Sequence, residues 1–241
     1  MTYAISDIHG CYDKYRKMLK ELNFTDRDVL YVLGDVLDRG AQPVEVLRDM
    51  SMRANVIPIM GNHEFVAHNI LKNLLLNDIT EENIKEFFGT EEAMMRFAQD
   101  LEAWGNDGGT TTIKGFGKLN NDERSFLIEY LEEFSLFEAV KVNGKNFLLT
   151  HAGIPEGAKL KTLRNYMAYD FLVAKTDYSK RYFDNVYLVT GHIPTFILSP
   201  KHRGKIYCNN NHIAIDTGAV FTHESGVLGC ICLDTFDEFY V

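Results

Sequence analysis

Five short apolar runs, each followed within three residues by Asp, Asn or His, are the feature that most constrains how this chain can fold. The runs are rich in β-branched residues and alternate with helical patterns, which favours an α/β fold with a partly parallel sheet. They are Tyr3–Ser6, Val29–Leu33, Asn55–Ile59, Phe147–Thr150 and Val186–Thr190. Because the carboxyl ends of parallel strands meet at one edge of a sheet, the polar residues after the runs are predicted to share a site.

The side chains after these runs form a mixed set of nitrogen and oxygen ligands. The candidate metal ligands are Asp7, His9, Asp35, Asn62, His151 and His192, with His63 adjacent. A strand that continued to His9 would point Asp7 and His9 to the same side. Such a set without thiolate suits Mn, Fe or Zn better than Ca or Cu(I). Six ligands exceed the needs of one tetrahedral ion, which indicates two ions about 3.5–4 Å apart and hydrolysis of a phosphate ester or anhydride.

Composition excludes several classes of function. The 241 residues include 25 Lys and Arg against 34 Asp and Glu, a formal net charge of -9 that disfavours bulk nucleic-acid binding. No apolar run approaches the roughly 20 residues that span a bilayer, so no membrane partner is expected.

The four cysteines show no C-x-x-C pairing and no leader is evident, so we expect a cytoplasmic protein with reduced thiols. Cys230 and Cys232 are predicted to share one face of a strand. The sequence does not indicate an oligomeric state.

The pattern between the third and fourth runs is mainly helical. We predict one domain over 1–241 with a helical insertion at about 64–138. Its helices are predicted at Phe65–Leu76, at Glu81–Phe88 after a Thr80 cap, at Glu91–Trp104, and at Asp122–Phe134 after Asn121. The Gly-rich segment Gly105–Thr112 is a candidate to line a substrate mouth. Because it lacks the Gly-Lys-Ser ending of a P-loop, it is predicted to be a turn and not a phosphate-binding loop.

Several sequence blocks resemble the signature blocks of the phosphoprotein phosphatase family, in order and in spacing. They are Ser6–Gly10, Gly34–Gly40, Gly61–Glu64, His151–Gly153 and Gly191–His192. A further block, Ile215–Phe221, is similar to one near the end of the small bacterial and phage members, which include protein phosphatases and diadenosine tetraphosphatases. The resemblance implies a metallophosphatase-type β-sandwich of two mixed sheets flanked by helices.

The resemblance also implies a role for each site residue. One divalent ion would be held by Asp7, His9 and Asp35, and the other by Asp35, Asn62, His151 and His192. The two ions are expected to be Mn²⁺, with Fe or Zn as alternatives. His63, oriented by Asp38, would protonate the leaving oxygen, and Arg39 would bind the phosphate oxygens.

Two positions depart from the family pattern. Met60 holds a place where many members have Arg, and the aromatic-rich segment Asn165–Phe171 has no Arg in clear register. Arg164, Tyr166 and Asn106 are therefore candidates, beside Arg39, for contact with the substrate. The histidines outside the blocks are predicted to face solvent or to cap other elements; they are His68, His202, His212 and His223.

Three functional hypotheses follow. The first is a metal-dependent phosphomonoesterase that acts on phosphorylated serine or threonine residues of proteins, with phosphotyrosine and small aryl phosphates as further substrates. The second is symmetrical cleavage of dinucleoside tetraphosphates at the same metal site, with the helical insertion deciding between the two. The third, from another class, is an inactive relative that binds metal or phosphoproteins without turnover, which the absent arginines motivate.

Overall fold

Two five-stranded sheets form the centre of the molecule. The computed structural model of the protein describes residues 1–76, 83–174 and 176–241. The strands are β1 (Thr2–Ile5), β2 (Val29–Leu33), β3 (Val56–Ile59), β4 (Phe137–Val142), β5 (Lys145–Thr150), β6 (Val186–Thr190), β7 (Tyr207–Asn209), β8 (His212–Ala214), β9 (Gly229–Cys232) and β10 (Glu238–Tyr240). The five apolar runs are confirmed as β1, β2, β3, β5 and β6.

Both sheets are mixed, as the resemblance implied. Their strand orders are β10-β9-β1-β2-β3 and β4-β5-β6-β8-β7. In the first sheet β1, β2 and β3 are parallel, and in the second β5, β6 and β8 are parallel. The remaining strands, β4, β7, β9 and β10, pair antiparallel. The parallel pairings bring the carboxyl ends of neighbouring strands to a common edge, where the predicted ligands follow.

The helices are α1 (Tyr12–Glu21), α2 (Pro43–Ser51), α3 (Asn62–Leu76), α4 (Ile84–Phe88), α5 (Glu91–Trp104), α6 (Thr110–Phe116), α7 (Asn121–Glu132), α8 (Tyr169–Leu172) and α9 (Thr195–Leu198). Short 3₁₀ helices span Leu160–Asn165 and Pro200–His202. Among the described residues, no helix has the length and apolar character needed to cross a membrane.

Apolar side chains fill the space between the two sheets and on their outer faces. Alternate residues of a strand point to opposite faces, so Leu33 of β2 meets Leu149 of β5 and Val189 of β6 between the sheets. The outer face of the first sheet packs against α1, α2, α3 and α7. Cys230 and Cys232 both lie in that outer core, which confirms that they share one face of β9.

The helices between β3 and β4 agree in part with the prediction. Helix α5 has the predicted bounds, and the Oγ1 of Thr90 caps it by accepting the N–H of Ala93 at 3.1 Å. The cap of α7 is Asn120 and not Asn121, because the side chains of Asn120 and Glu123 form a reciprocal capping box. The predicted Thr80 cap lies outside the described residues, and the division into one domain with an insertion at 64–138 stays a prediction.

Two predictions are corrected by the fold. The Gly105–Thr112 segment is not a simple turn: Gly105–Gly109 forms one π-helical turn that continues α5, and α6 begins at Thr110. The chain kinks at Gly108, whose φ of 106° suits glycine. His212 does not face solvent, because β8 places it in the interior, where its ring stacks on Tyr178 with centroids 4.2 Å apart.

Candidate metal centre and active site

The loops after the parallel strands carry the predicted ligands to one edge of the two sheets. Asp7, Asp35 and His192 have left-handed backbone conformations, with φ of 51°, 53° and 68°. Residues with side chains adopt this conformation rarely, and they do so most often where the surrounding structure fixes a functional group. The first strand does not continue to His9, so strand geometry is not what places Asp7 and His9 in the site. β1 ends at Ile5, and the backbone N–H of His9 instead donates to the carbonyl of Asp35 at 2.8 Å.

The first candidate cation site lies around His9 and Asp35, two of the predicted ligands. The ring of His63, the predicted proton donor, completes a cluster whose side-chain nitrogen and oxygen atoms lie within 4.8 Å of one another. Nδ1 of His9 lies 2.9 Å from the carbonyl oxygen of Leu37. Because a carbonyl oxygen can only accept, Nδ1 carries the proton and Nε2 keeps its lone pair. That nitrogen lies 3.6 Å from Oδ2 of Asp35.

The second candidate cation site consists of Asp35, His151 and His192. Nδ1 of His151 donates to the carbonyl of Leu33 at 2.8 Å, which leaves Nε2 to face the cluster. Nε2 lies 2.9 Å from Oδ1 of Asn62, 3.1 Å from Nδ1 of His192 and 3.4 Å from Oδ1 of Asp35. The structure therefore brings the predicted ligands of the second ion together.

These residues fit divalent cations. Asp35 takes part in both groups, with Oδ2 toward His9 and Oδ1 toward His151, so it would be available to an ion at either site. Lone pairs of several nitrogen and oxygen atoms converge, and buried carboxylates need positive charge nearby. Asp7 adds a carboxylate that is 2% exposed, and burial, reinforced by the charge of Asp35, raises its pKa to about 6 while His151 opposes the rise. The donor set suits Mn, Fe or Zn.

His63 is held by Asp38, as predicted from the sequence blocks. Nδ1 of His63 lies 2.6 Å from Oδ2 of Asp38, and both side chains are buried. Asp38 also accepts hydrogen bonds from Nε1 of Trp104 at 2.7 Å and from Oγ1 of Thr112 at 2.5 Å. Burial lowers the pKa of His63, but the hydrogen bond to Asp38 and the charge of Asp35 outweigh it and raise the pKa to about 9.

Arg39 lies between the two histidines of the first site. Its guanidinium donates to Nε2 of His9 at 2.8 Å and to Nε2 of His63 at 2.9 Å. Since arginine has no acceptor, Nε2 of His9 carries no proton in this arrangement. The guanidinium also pairs with the exposed carboxylate of Asp107 at 3.1 Å. A phosphate oxygen is a stronger acceptor than an imidazole, so Arg39 is placed to exchange these partners for phosphate and to free His63 for a proton.

Glu64 is a site residue that sequence reasoning missed as a functional position. It is fully buried, and its carboxylate accepts backbone N–H groups from Asp35 at 2.7 Å, Val36 at 2.9 Å, Leu37 at 3.0 Å and Gly61 at 3.1 Å. It therefore fixes the loop that carries the shared carboxylate. The signal in the sequence is an acidic residue in the first turn of α3, where a helix favours negative charge.

A cavity of about 400 Å³ opens beside His63, between α3 and α5. Its apolar lining consists of Phe65, Val66, Ile70, Ala103 and Trp104, and its polar lining of Asn62, His63, Asn69, Asp100 and Asp107. Trp104 is the only tryptophan of the chain. Trp104 and Asp107 line the cavity and also contact Asp38 and Arg39, respectively. The sequence did not single out Trp104, whereas Asp107 lies in the Gly-rich segment that was predicted to line a substrate mouth.

The predicted substrate-binding residues Asn106, Arg164 and Tyr166 lie in different parts of the structure. Asn106 is exposed on the π-helical turn, next to Asp107. Arg164 and Tyr166 line a different cavity, of about 480 Å³, which none of the candidate ligands lines. The reason is that Leu163, which directly precedes Arg164, is buried against the outer face of the second sheet. The structure does not bring Arg164 and Tyr166 to the metal cluster.

Curated relatives with similar sequences include bis(5'-nucleosyl)-tetraphosphatases. The asymmetrical bis(5'-nucleosyl)-tetraphosphatase PrpE of Oceanobacillus iheyensis is 24% identical over 246 residues, which cover 91% of this chain and 84% of the relative. The symmetrical bis(5'-nucleosyl)-tetraphosphatase of Buchnera aphidicola is 42% identical over 65 residues, 26% of this chain. That match spans only 24% of the relative's length.

Solved structures share the fold. One described provisionally as a diadenosine tetraphosphatase has a TM-score of 0.64 at 15% identity, covering 100% of this chain and 92% of the other. A protein serine/threonine phosphatase from Saccharomyces cerevisiae has a TM-score of 0.53 at 11% identity, covering 100% of this chain and 78% of the other. Identities this low show a common architecture.

The sequence profile of one family matches nearly the whole chain. It is that of the calcineurin-like phosphoesterases, and it covers residues 2–224, from β1 to beyond the loop after β8. The matched region contains both candidate cation sites, the His63–Asp38 pair and Arg39. The chain therefore belongs to the calcineurin-like phosphoesterase family.

Proposed function

We propose that this protein hydrolyses dinucleoside tetraphosphates, with two divalent metal ions bound at the shared Asp35. The observation that carries the proposal is the cavity beside His63. Its volume of about 400 Å³ is within the range of sites that enclose small molecules. The names of the curated relatives support the same substrate class.

The lining of the cavity suits a nucleoside. The ring of Phe65, which is 40% exposed, offers a flat apolar surface on which a base can stack, and the buried ring of Trp104 forms part of the cavity wall. Asn69 and Asp100 offer polar groups for a ribose or a base edge. The phosphate chain would then extend from the cavity past His63 to Arg39. A phosphorylated serine side chain has no part that fills such a cavity.

The residues of the chain supply most of the chemistry in this proposal. The metal ions, when bound, would activate water and neutralise charge on the phosphates. Arg39 binds phosphate oxygens through its fork of donors. His63 donates a proton to the leaving oxygen, and its raised pKa keeps it protonated near neutral pH once Arg39 has turned to the phosphate. Asp38 holds the ring so that Nε2 faces the reacting group.

The proposal ranks the second sequence-based hypothesis above the first. Turnover of diadenosine tetraphosphate and of a phosphoserine peptide by the same Mn²⁺-supplemented protein compares them directly. We expect the dinucleotide to have the higher kcat/KM. Chromatography of the products reports the bond that is cut, since symmetrical cleavage gives two ADP and asymmetrical cleavage gives ATP and AMP. A higher kcat/KM for the phosphopeptide would overturn the proposal and restore the protein phosphatase hypothesis.

A pair of variants on α5 tests the role of the cavity. Ala103 lines the cavity, whereas Ala98 is exposed on the same helix and does not. Ala103→Phe should raise KM for diadenosine tetraphosphate about tenfold, because base stacking on aromatic side chains is worth about 1–3 kcal/mol. It should leave turnover of p-nitrophenyl phosphate unchanged, and Ala98→Phe should change neither. Equal effects of the two variants would argue against a nucleoside in the cavity.

The hypothesis of an inactive relative is tested with the same assays. The ligand cluster and the His63–Asp38 pair are both in place, which supports turnover. A His63→Asn variant should release phosphate far more slowly than the parent. If it matched the parent, the measured activity would come from another protein in the preparation.

A further inference from the structure

The segment from Trp104 to Thr112 reaches the catalytic pair from outside the sheets. Trp104 ends α5 and Thr112 lies in the first turn of α6. Both side chains bond to Asp38: Nε1 of Trp104 donates to Oδ2 at 2.7 Å, and Oγ1 of Thr112 donates to Oδ1 at 2.5 Å. The backbone N–H of Asp38 returns a bond to Oγ1 of Thr112 at 3.0 Å.

These bonds fix the plane of the Asp38 carboxylate. Oδ1 is held by Thr112, so Oδ2 has to face Nδ1 of His63, from which it lies 2.6 Å. Trp104 binds the same Oδ2 and prevents the carboxylate from turning about its Cβ–Cγ bond. All four side chains are at most 4% exposed, so water does not compete for these bonds.

The backbone at Asp38 and Arg39 is strained and depends on support from neighbouring residues. Asp38 and Arg39 both have left-handed conformations, with φ of 67° and 62°, which cost energy for residues with side chains. The π-helical turn supports them, since the carbonyl of Gly108 accepts the N–H of Arg39 at 3.1 Å. A Cβ at Gly109 would lie 2.5 Å from the ring of Trp104, so the turn also closes tightly over that ring.

We propose that Trp104 and Thr112 are positioning residues, which act through Asp38 to aim His63 at the leaving oxygen. Neither belongs to a candidate cation site. The inference rests on the proposed role of His63 as the proton donor, but not on the dinucleotide as the substrate. It gives the segment between α5 and α6 a function that a substrate mouth alone would not have.

Paired substitutions at Thr112 test the proposal. Thr112→Val replaces the hydroxyl by a methyl group of similar shape, and Thr112→Ser keeps the hydroxyl. Thr111→Val is the matched control, because the hydroxyl of Thr111 binds the carbonyl of Gly108 and not Asp38. The substrates are phenyl phosphate and p-nitrophenyl phosphate, assayed with Mn²⁺. Phenolate is a stronger base than p-nitrophenolate, so hydrolysis of phenyl phosphate depends more on a proton donor to the leaving oxygen.

We expect Thr112→Val to lower kcat for phenyl phosphate about tenfold, with a smaller loss for p-nitrophenyl phosphate and an unchanged KM. Thr112→Ser should restore most of this activity, and Thr111→Val should match the parent. A loss that is equal for both substrates, or that is shared by Thr111→Val, would overturn the proposal, since it would indicate a general disturbance of the helix.

A proton NMR measurement distinguishes a failure of this inference from a failure of the proposed function. The Nδ1 proton of His63, bonded to Asp38 at 2.6 Å, should give a far-downfield proton NMR signal. The signal should move upfield in Thr112→Val and in Trp104→Phe, and keep its position in Thr111→Val. If the parent hydrolyses no phosphate ester, the proposed function fails while this shift still supports the hydrogen-bond positioning of His63. An unchanged signal in both variants would refute the positioning role even in an active enzyme.

Discussion

Replacing Glu64 by Gln should weaken the fold and the metal site together. The carboxylate of Glu64 accepts four backbone N–H groups in the interior, two at each oxygen. Burial and the charge of Asp35 raise the pKa of Glu64 to about 7, and the N–H donors oppose this rise because they bind a deprotonated carboxylate best. The change from Glu to Gln retains the shape and removes two acceptor positions.

The magnitude follows from the geometry. An amide has one oxygen, so its NH₂ group must face either the N–H groups of Val36 and Leu37 or those of Asp35 and Gly61. Two buried N–H groups are then left without an acceptor, at about 1–3 kcal/mol each. The expected loss is roughly 2–6 kcal/mol, a large part of the roughly 5–15 kcal/mol that stabilises a domain of ordinary size.

Urea denaturation of the metal-free protein measures this loss, and Mn²⁺ titration measures the effect on the site. Glu21→Gln, at an exposed position of α1, is the control and should stay within about 0.5 kcal/mol of the parent. Weaker Mn²⁺ binding should accompany the loss at Glu64, because the same loop positions Asp35. A Glu64→Gln variant as stable as the control would refute the four-bond description of this carboxylate.

Three further predictions concern other parts of the molecule. Gly108→Ala should destabilise by about 1–3 kcal/mol and lower kcat/KM, since a Cβ there would lie 2.6 Å from Cγ of Arg39. Gly89→Ala, at a positive φ of 68° and with no neighbour within 4 Å, should change stability alone. Burial lowers the pKa of His212 to about 3, so the neutral ring is favoured in the folded state and stability is lost as pH falls below about 6.5. His212→Gln should therefore reduce the fall in unfolding free energy between about pH 7 and pH 5 by about 2 kcal/mol, measured by urea titration at both values. Asp35→Asn should lower the metal content at both sites, measured by elemental mass spectrometry; two retained ions per chain would contradict a shared ligand.

The sheet edge and its ligands could be predicted because the signal is local. A run of β-branched residues such as Val29–Leu33 defines a strand by itself, and Asp35 follows it two positions later. The strand direction then decides the edge at which this carboxylate lies. His151 and His192 follow β5 and β6 in the same way, and the parallel pairing of those strands brings the two histidines together. Their meeting with Asp35 also needs the two sheets to pack with these edges side by side, which no local pattern predicts.

The supports of the catalytic pair could not be predicted in this way. Trp104 and Thr112 are 66 and 74 residues from Asp38 in sequence, and no periodicity joins them. The glycines and threonines between them have low helix propensity, which indicates a turn. Tertiary contacts override that propensity, because the segment must pack closely on the backbone of Arg39. Arg164 was a candidate only because of its position in the chain, next to the aromatic-rich segment Asn165–Phe171. Its segment packs on the outer face of the second sheet, away from the metal cluster.

In the proposed function, Trp104 connects substrate binding to proton donation. Its ring lines the cavity beside His63, its Nε1 donates to Asp38, and Gly109 closes over the ring so tightly that a Cβ there would clash. In the proposed function, a base in the cavity that contacts this ring would stabilise the same side chain that holds the carboxylate behind His63. Binding energy from a part of the substrate far from phosphorus would then increase kcat as well as affinity. A small phosphate ester, which leaves the cavity empty, would use the same metal ions and the same acid but would lose this contribution.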